Sequence, residues 1–160
     1  MGKHIVIGAG QVGGQLARLL AGQGHEVTVV TRSGSGPVAA GITRVSADVS
    51  DREGLTGVAK GADVIYNCVN PQYHRWAEDW PPMAAAILGT AETTGAGLVT
   101  LGNLYIYGEV DRPMTEDTPS PRPGRRDGSG RRCGWTWRPP TARAACGSPS
   151  CAAPTSTAPG

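Results

Sequence analysis

Three glycines near the start of the chain have the spacing of a phosphate cradle. Gly8, Gly10 and Gly13 stand as G-x-G-x-x-G directly after the apolar run Ile5-Val6-Ile7. Gly8 permits a sharp turn out of a strand. Gly10 leaves no Cβ between the backbone and a pyrophosphate, and Gly13 lets a helix lie close on a sheet. The free N–H groups of that helix, at Gln11, Val12 and Gly13, carry partial positive charge and suit phosphate oxygens. A second apolar run ends in Arg32-Ser33, with no acid. A site that prefers NAD usually places an acid there, for the ribose 2′-hydroxyl. A guanidinium beside a hydroxyl suits a 2′-phosphate instead. These residues imply a dinucleotide cofactor, NADP preferred and NAD possible. The plainer alternatives are a glycine turn in another α/β fold and a solvated loop arginine.

Other candidates follow along the chain. Asp48 can accept from an adenine amino group while Val49 packs on the ring. Asp48 could instead cap a helix, a role for which Ser50 and Asp51 compete. Asn67 and Cys68 end a fourth apolar run, where a coenzyme ribose should pass. Tyr73, His74, Trp76 and Trp80 form an aromatic cluster, either a lid over a site or a cover for the sheet's edge. His74 as a general base has no partner in the sequence. Cys68, Cys133, Cys146 and Cys151 show no C-x-x-C pair and no His at zinc spacing, so isolated thiols and no metal site are expected.

The elements needed to hold these residues can be read from periodicity. A strand at Ile5–Ile7 leads into a helix from about Gln11 to Gln23, with Val12, Leu16, Leu19 and Leu20 at helical intervals. Strands are expected at His25–Val30, Ile42–Ala47, Ala62–Asn67 and Leu98–Leu101. Short helices are expected at Asp51–Lys60 and, after a loop over Pro71–Pro82, at Met83–Thr94. Alternation of this kind specifies an α/β fold, a doubly wound parallel sheet of the Rossmann type.

The 160 residues suffice for one domain with a core. No signal peptide precedes Gly8 and no run approaches the roughly 18 apolar residues of a membrane span, so a soluble cytoplasmic protein with no membrane partner is expected. The net charge of +2 hides two halves. Residues 1–118 carry 8 basic and 12 acidic residues, whereas residues 119–160 carry 7 arginines and one acid, Asp127. The chain therefore divides into a domain over 1–118 and a tail over 119–160.

Three segments now carry a family resemblance. They are the glycine turn, the Asp48-Val49 pair, and Gly102-Asn103-Leu104-Tyr105-Ile106-Tyr107-Gly108. The last is similar to the S-S-x-x-V-Y-G of the extended short-chain dehydrogenase/reductases, the epimerase and dehydratase group. Pro113 to Pro119 also resembles that family's P-x-x-E-x-x-P. The resemblance spans roughly residues 3–118 and implies an NAD(P)-binding oxidoreductase whose substrate is a small molecule. It also shows departures. Asn103 occupies the place of the catalytic Ser or Thr. The Y-x-x-x-K pair is missing, since no Tyr follows Tyr107 and no Lys follows Lys60. That chemistry needs a Tyr whose proton a nearby Lys makes mobile. Tyr105 or Tyr107 could substitute, against the plainer role of packing at a strand end. A catalytically incompetent fragment is expected. The alternatives are a non-catalytic dinucleotide-binding module and a polyanion binder acting through the basic tail.

The tail holds no Val, Ile, Leu, Met, Phe or Tyr, and 8 of its 42 residues are Pro. It has little to bury against the cost of ordering. Disorder is expected. Arginines beside Trp135 and Trp137 could stack on bases, but a nucleic-acid role is disfavoured because the tail reads as a frameshift product. Joining the third base of one codon to the first two of the next makes Arg132–Cys133, Gly134–Trp135, Thr136–Trp137, Ala145–Cys146 and Ser150–Cys151 all N-T-G, which encodes only Leu, Met or Val. Trp135–Thr136 becomes Asp without ambiguity.

Overall fold

A computed structural model describes residues 1–102, 107, 110–115 and 118. Its strands are β1 (Lys3–Ile7), β2 (Glu26–Thr31), β3 (Ile42–Ser46), β4 (Val64–Asn67) and β5 (Gly97–Thr100). All pair in parallel, in the order β3-β2-β1-β4-β5. The helices are α1 (Gln11–Gly22), α2 (Arg52–Val58) and α3 (Trp76–Thr94), with a 3-10 turn over Tyr73–Arg75 before α3. The strands therefore form the parallel Rossmann-type sheet that the alternation of apolar runs implies. The order reverses beside β1, since the chain runs outward through β2 and β3 and then returns to β4. A crevice opens at the carboxyl ends of the strands at such a reversal, and ligands of open α/β sheets bind there.

In the central strands β1 and β2 apolar residues point to both faces because both are covered there, whereas β3 and β5 are largely exposed. Val6, Val27 and Val29 point to one side and pack with Ala17 and Leu20 of α1. Ile5, Ile7, Val30 and Ile65 point to the other and pack with Leu55 of α2 and Ile87 and Ala91 of α3. Burying one such Leu or Ile side chain stabilises the fold by about 1.5–3 kcal/mol. Arg52 lies across α3 and donates to the Gly89 carbonyl at 3.3 Å, and Thr56 meets Thr90 at 3.1 Å.

Two elements depart from the periodicity. In α1 the buried residues are Gly13, Gly14, Ala17 and Leu20, whereas Val12 and Leu19 are exposed. Gly13 must face the sheet, and that sets the rotation of the helix. Helix α3 begins at Trp76, seven residues before the expected Met83, and carries Pro81 and Pro82 inside it. A proline ends or kinks most helices. Here the early turn is held by an Arg75–Asp79 pair at 2.8 Å and by the Trp76 indole donating to the Pro71 carbonyl at 2.9 Å.

The chain divides into two units, Met1–Asn103 and Leu104–Gly160. The strands and helices above belong to the first. In the second, the Thr118 amide donates to the Thr115 carbonyl at 3.0 Å and closes a turn. Residues 119–160 lie outside the described residues. No helix among the described residues is long and apolar enough to cross a membrane.

Candidate dinucleotide site

The glycine turn leaves β1 and enters α1 at the centre of the sheet. Gly8 has φ 95°, a conformation that L side chains rarely adopt. A Cβ there would also sit 3.0 Å from the Cys68 carbonyl. A Cβ on Gly13 would collide with the Gly8 carbonyl oxygen, so close packing of helix on turn requires glycine. Gly10 differs from both. Nothing lies within 4 Å of a Cβ built on it, and the residue is exposed. Gly10 occupies the N-cap of α1 and supplies no side-chain cap, and the first turn carries no acid. The amides of Gln11, Val12 and Gly13 thus start an uncapped helix beside open space. An anion is the natural partner for those donors. These features fit a pyrophosphate.

Beside the turn lies a cavity of about 810 Å³. Gly8 forms its floor with Val30. Thr31, Arg32 and Ser33 line it from the end of β2, and Asp48, Val49 and Ser50 from the end of β3. Val69 and Asn70 follow β4, and Arg75, Asp79, Pro82 and Met83 come from the start of α3. Val49 is 4% exposed and belongs to the core, so only part of it faces the cavity. Asp48 Oδ1 accepts from the Ser50 hydroxyl at 2.7 Å and the Ser50 amide at 2.9 Å. These bonds, the hydroxyl's foremost, hold the Asp48 carboxyl below its ordinary pKa. The cap of α2 is Asp51, which accepts from the Glu53 and Gly54 amides, so Asp48 is not spent on that role. The Ser33 hydroxyl donates to Ser35 at 2.8 Å.

Other candidates lie elsewhere. Asn67 is buried and its Oδ1 accepts from the Val69 amide at 3.3 Å, shaping the chain after β4. Cys68 is half-buried under Gly13, and burial raises its thiol pKa. Neither is among the residues that line the cavity. Gln11 and Val12 line a shallow groove on the outer side of α1. Tyr73 packs on Trp76 with ring centroids 4.8 Å apart and is 71% exposed. His74 is exposed too. Asn103 and Tyr105 lie outside the described residues, and Tyr107 belongs to the second unit. No group of three or more His, Cys, Asp or Glu among the described residues could hold a metal ion.

Sequence reasoning missed Arg75 and Asp79 as cavity residues. It placed them in a loop, where no register could be assigned. The i,i+4 spacing of an arginine and an aspartate was the available signal for a helix there.

The chain is similar to Bordetella bronchiseptica WbmH, solved in complex with NAD+, with 20% identity and a TM-score of 0.65 over 78% of this chain and 46% of that one. It is similar to WbmG of the same organism, solved with NAD and UDP, with 23% identity and a TM-score of 0.63 over 76% and 44%. A UDP-galactose 4-epimerase matches with 26% identity and a TM-score of 0.62 over 74% and 44%. The chain thus spans less than half the length of these solved proteins. Among curated proteins none matches. The family described as NAD dependent epimerase/dehydratase matches residues 4–127, from β1 through the glycine turn, the cavity and beyond. With the parallel sheet, the uncapped helix on a glycine turn and this match together, the chain belongs to the NAD-dependent epimerase/dehydratase family.

Proposed function

We propose that the first unit is the cofactor-binding part of an epimerase/dehydratase-like oxidoreductase and that it holds NADP in preference to NAD. The observation that carries this reading is the open space at Gly10 at an uncapped helix start, two residues after Gly8, which lines a cavity together with Arg32 and Ser33. The amides of Gln11, Val12 and Gly13 would hold the pyrophosphate. Asp48 and Val49 would take the adenine, and Arg32 with Ser33 the 2′-phosphate. A bound nicotinamide supplies hydride transfer. Proton transfer needs a group of this chain's own. The sequence lacks the Tyr-x-x-x-Lys pair, and the candidates that the resemblance leaves are Asn103, Tyr105 and Tyr107. We therefore read the 160-residue chain as binding cofactor without turnover, which makes it a dinucleotide-binding module in practice.

Fluorescence titration tests this reading. NADPH is expected to bind saturably to the purified chain, and Gly10→Val to abolish binding by filling the pyrophosphate's place. Absence of binding up to millimolar NADPH and NADH would sink the proposal. Turnover of any sugar nucleotide or carbonyl compound would overturn the catalytic part alone. Binding of polyanions through the arginine-rich tail, with no dinucleotide binding, would favour the tail reading instead.

A further inference from the structure

The cavity wall opposite β2 is charged. Arg75 Nε donates to Asp79 Oδ2 at 3.0 Å and Nη2 to Asp79 Oδ1 at 2.8 Å, a two-point fork across one helical turn. Both residues line the cavity that Arg32 and Ser33 line. Arg32 shares the cavity lining with Asp48 and Asp79, and its charge adds a small lowering to both carboxyls, behind the Ser50 bonds at Asp48 and the Arg75 bond at Asp79. Among the described residues Arg32 forms no ion pair. The rim thus holds two arginines and two aspartates, with one aspartate already neutralised by Arg75.

That arrangement matters for an incoming phosphate. An uncompensated carboxylate on this wall would compete for Arg32 and would repel a dianion. Both effects act over several ångströms and are screened by salt, since the Arg75 and Asp79 side chains are open to solvent. A planar guanidinium that grips both carboxylate oxygens removes the competitor more fully than a point charge could.

We propose that Arg75 is a positioning residue for cofactor selectivity: by holding Asp79 in a two-point pair it keeps that carboxylate away from Arg32, so that Arg32 remains available to a 2′-phosphate. This rests on the reading that the cavity takes the adenosine end of NADP. Selectivity is then shared between the end of β2 and the start of α3. It also gives the aspartate a defined effect. With Arg75 removed, Asp79 turns the cavity against the phosphorylated cofactor while leaving the unphosphorylated one largely indifferent.

The test titrates NADPH and NADH into the full chain and the variants Arg75→Gln, Asp79→Asn, and the two combined. Arg75→Gln is expected to weaken NADPH about tenfold and NADH less than twofold. Asp79→Asn should leave NADPH binding equal or tighter. In the combined variant NADPH affinity should return to near the parent value. Far-ultraviolet circular dichroism checks that each variant folds, and Asp79→Asn tests the idea by removing the carboxylate while the Arg75 side chain is kept. Equal weakening of both cofactors by Arg75→Gln would overturn the inference. So would a combined variant as weak as Arg75→Gln, because Arg75 would then touch the phosphate itself. Arg32→Ala separates the two levels. If it weakens both cofactors equally, the NADP reading fails. If it is selective and Arg75→Gln is not, only the role of Arg75 fails.

Discussion

Arg32 follows β2 with its side chain at the cavity and its carbonyl oxygen held by the Ser46 hydroxyl at 2.7 Å. The backbone is thereby fixed while the guanidinium is not tied to an acid among the described residues. Arg32→Ala is expected to weaken NADPH by about 1.5–3 kcal/mol, the size of a charge-assisted hydrogen bond, and to spare NADH. Titration of both cofactors checks it, and equal losses would remove the assignment. A second residue acts at the opposite end of the sheet. His4 is buried, and its ring meets His25 edge-on with centroids 4.5 Å apart. The Gly2 amide donates to His25 Nδ1 at 3.2 Å, so that nitrogen is an acceptor. His4 Nε2, 3.1 Å away, must then carry the proton it shares. His4 Nδ1 is buried without a partner. Burial first, then the charge of His25, holds the His4 pKa below its ordinary value, though Asp63 opposes this. The unfolded chain therefore takes up a proton that the folded chain resists. Stability from this group is complete above about pH 6.5, the ordinary histidine value, and is lost as the pH falls below it. Urea unfolding at about pH 7.5 and 5.5 should show a drop that His4→Gln reduces. An unchanged slope in the variant would rule the residue out.

At the scale of elements, what was legible depended on how many residue types could satisfy a position. The glycine turn could be read because Gly8 and Gly13 stand where a side chain would strike backbone. The central β-strands could be read because both of their faces are buried and their apolar residues, Ile5, Val6 and Ile7 in β1 and Val27, Val29 and Val30 in β2, face both sides. The start of α3 could not be read, since Pro81 and Pro82 are ordinarily helix breakers and the early turn is held by contacts of Arg75 and Trp76 that act only once the helix exists. Half of one cavity wall was hidden with it. The rotation of α1 was misjudged for a related reason. Val12 and Leu19 look like core residues, but the demand that Gly13 face the sheet outranks their apolarity. Helix α2 offers a direct test. Asp51 caps it with bonds of 3.1 and 3.2 Å to the Glu53 and Gly54 amides. Asp51→Ala should destabilise the protein by about 0.5–2 kcal/mol, read as a lower urea midpoint. No change in the midpoint would mean that packing of Leu55 alone holds the helix.

For the whole molecule, the family match runs to residue 127 and so passes the change of composition near Pro119. The gene for this chain, read one base out of register from about residue 120, is expected to continue with apolar periodicity and epimerase-like sequence. Sequencing the transcript checks it. An early stop codon or a shifted reading without apolar rhythm would end the idea. The order of the sheet has a separate consequence, for the time before the protein is finished. The middle strand, β1, leaves the ribosome before the other four described strands. Its partner β2 follows soon, with Lys3 opposite Glu26, but β4 brings Val64 opposite His4 only much later. Through that interval the nascent chain can build β1, β2 and β3 while one edge of β1 stays bare, an apolar edge of the kind that recruits foreign strands. Pairing over so long a stretch of chain is also slow. The strand that ends at the centre of the described sheet is therefore the one most at risk during synthesis, and the speed of translation from β3 to β4 sets how long that risk lasts.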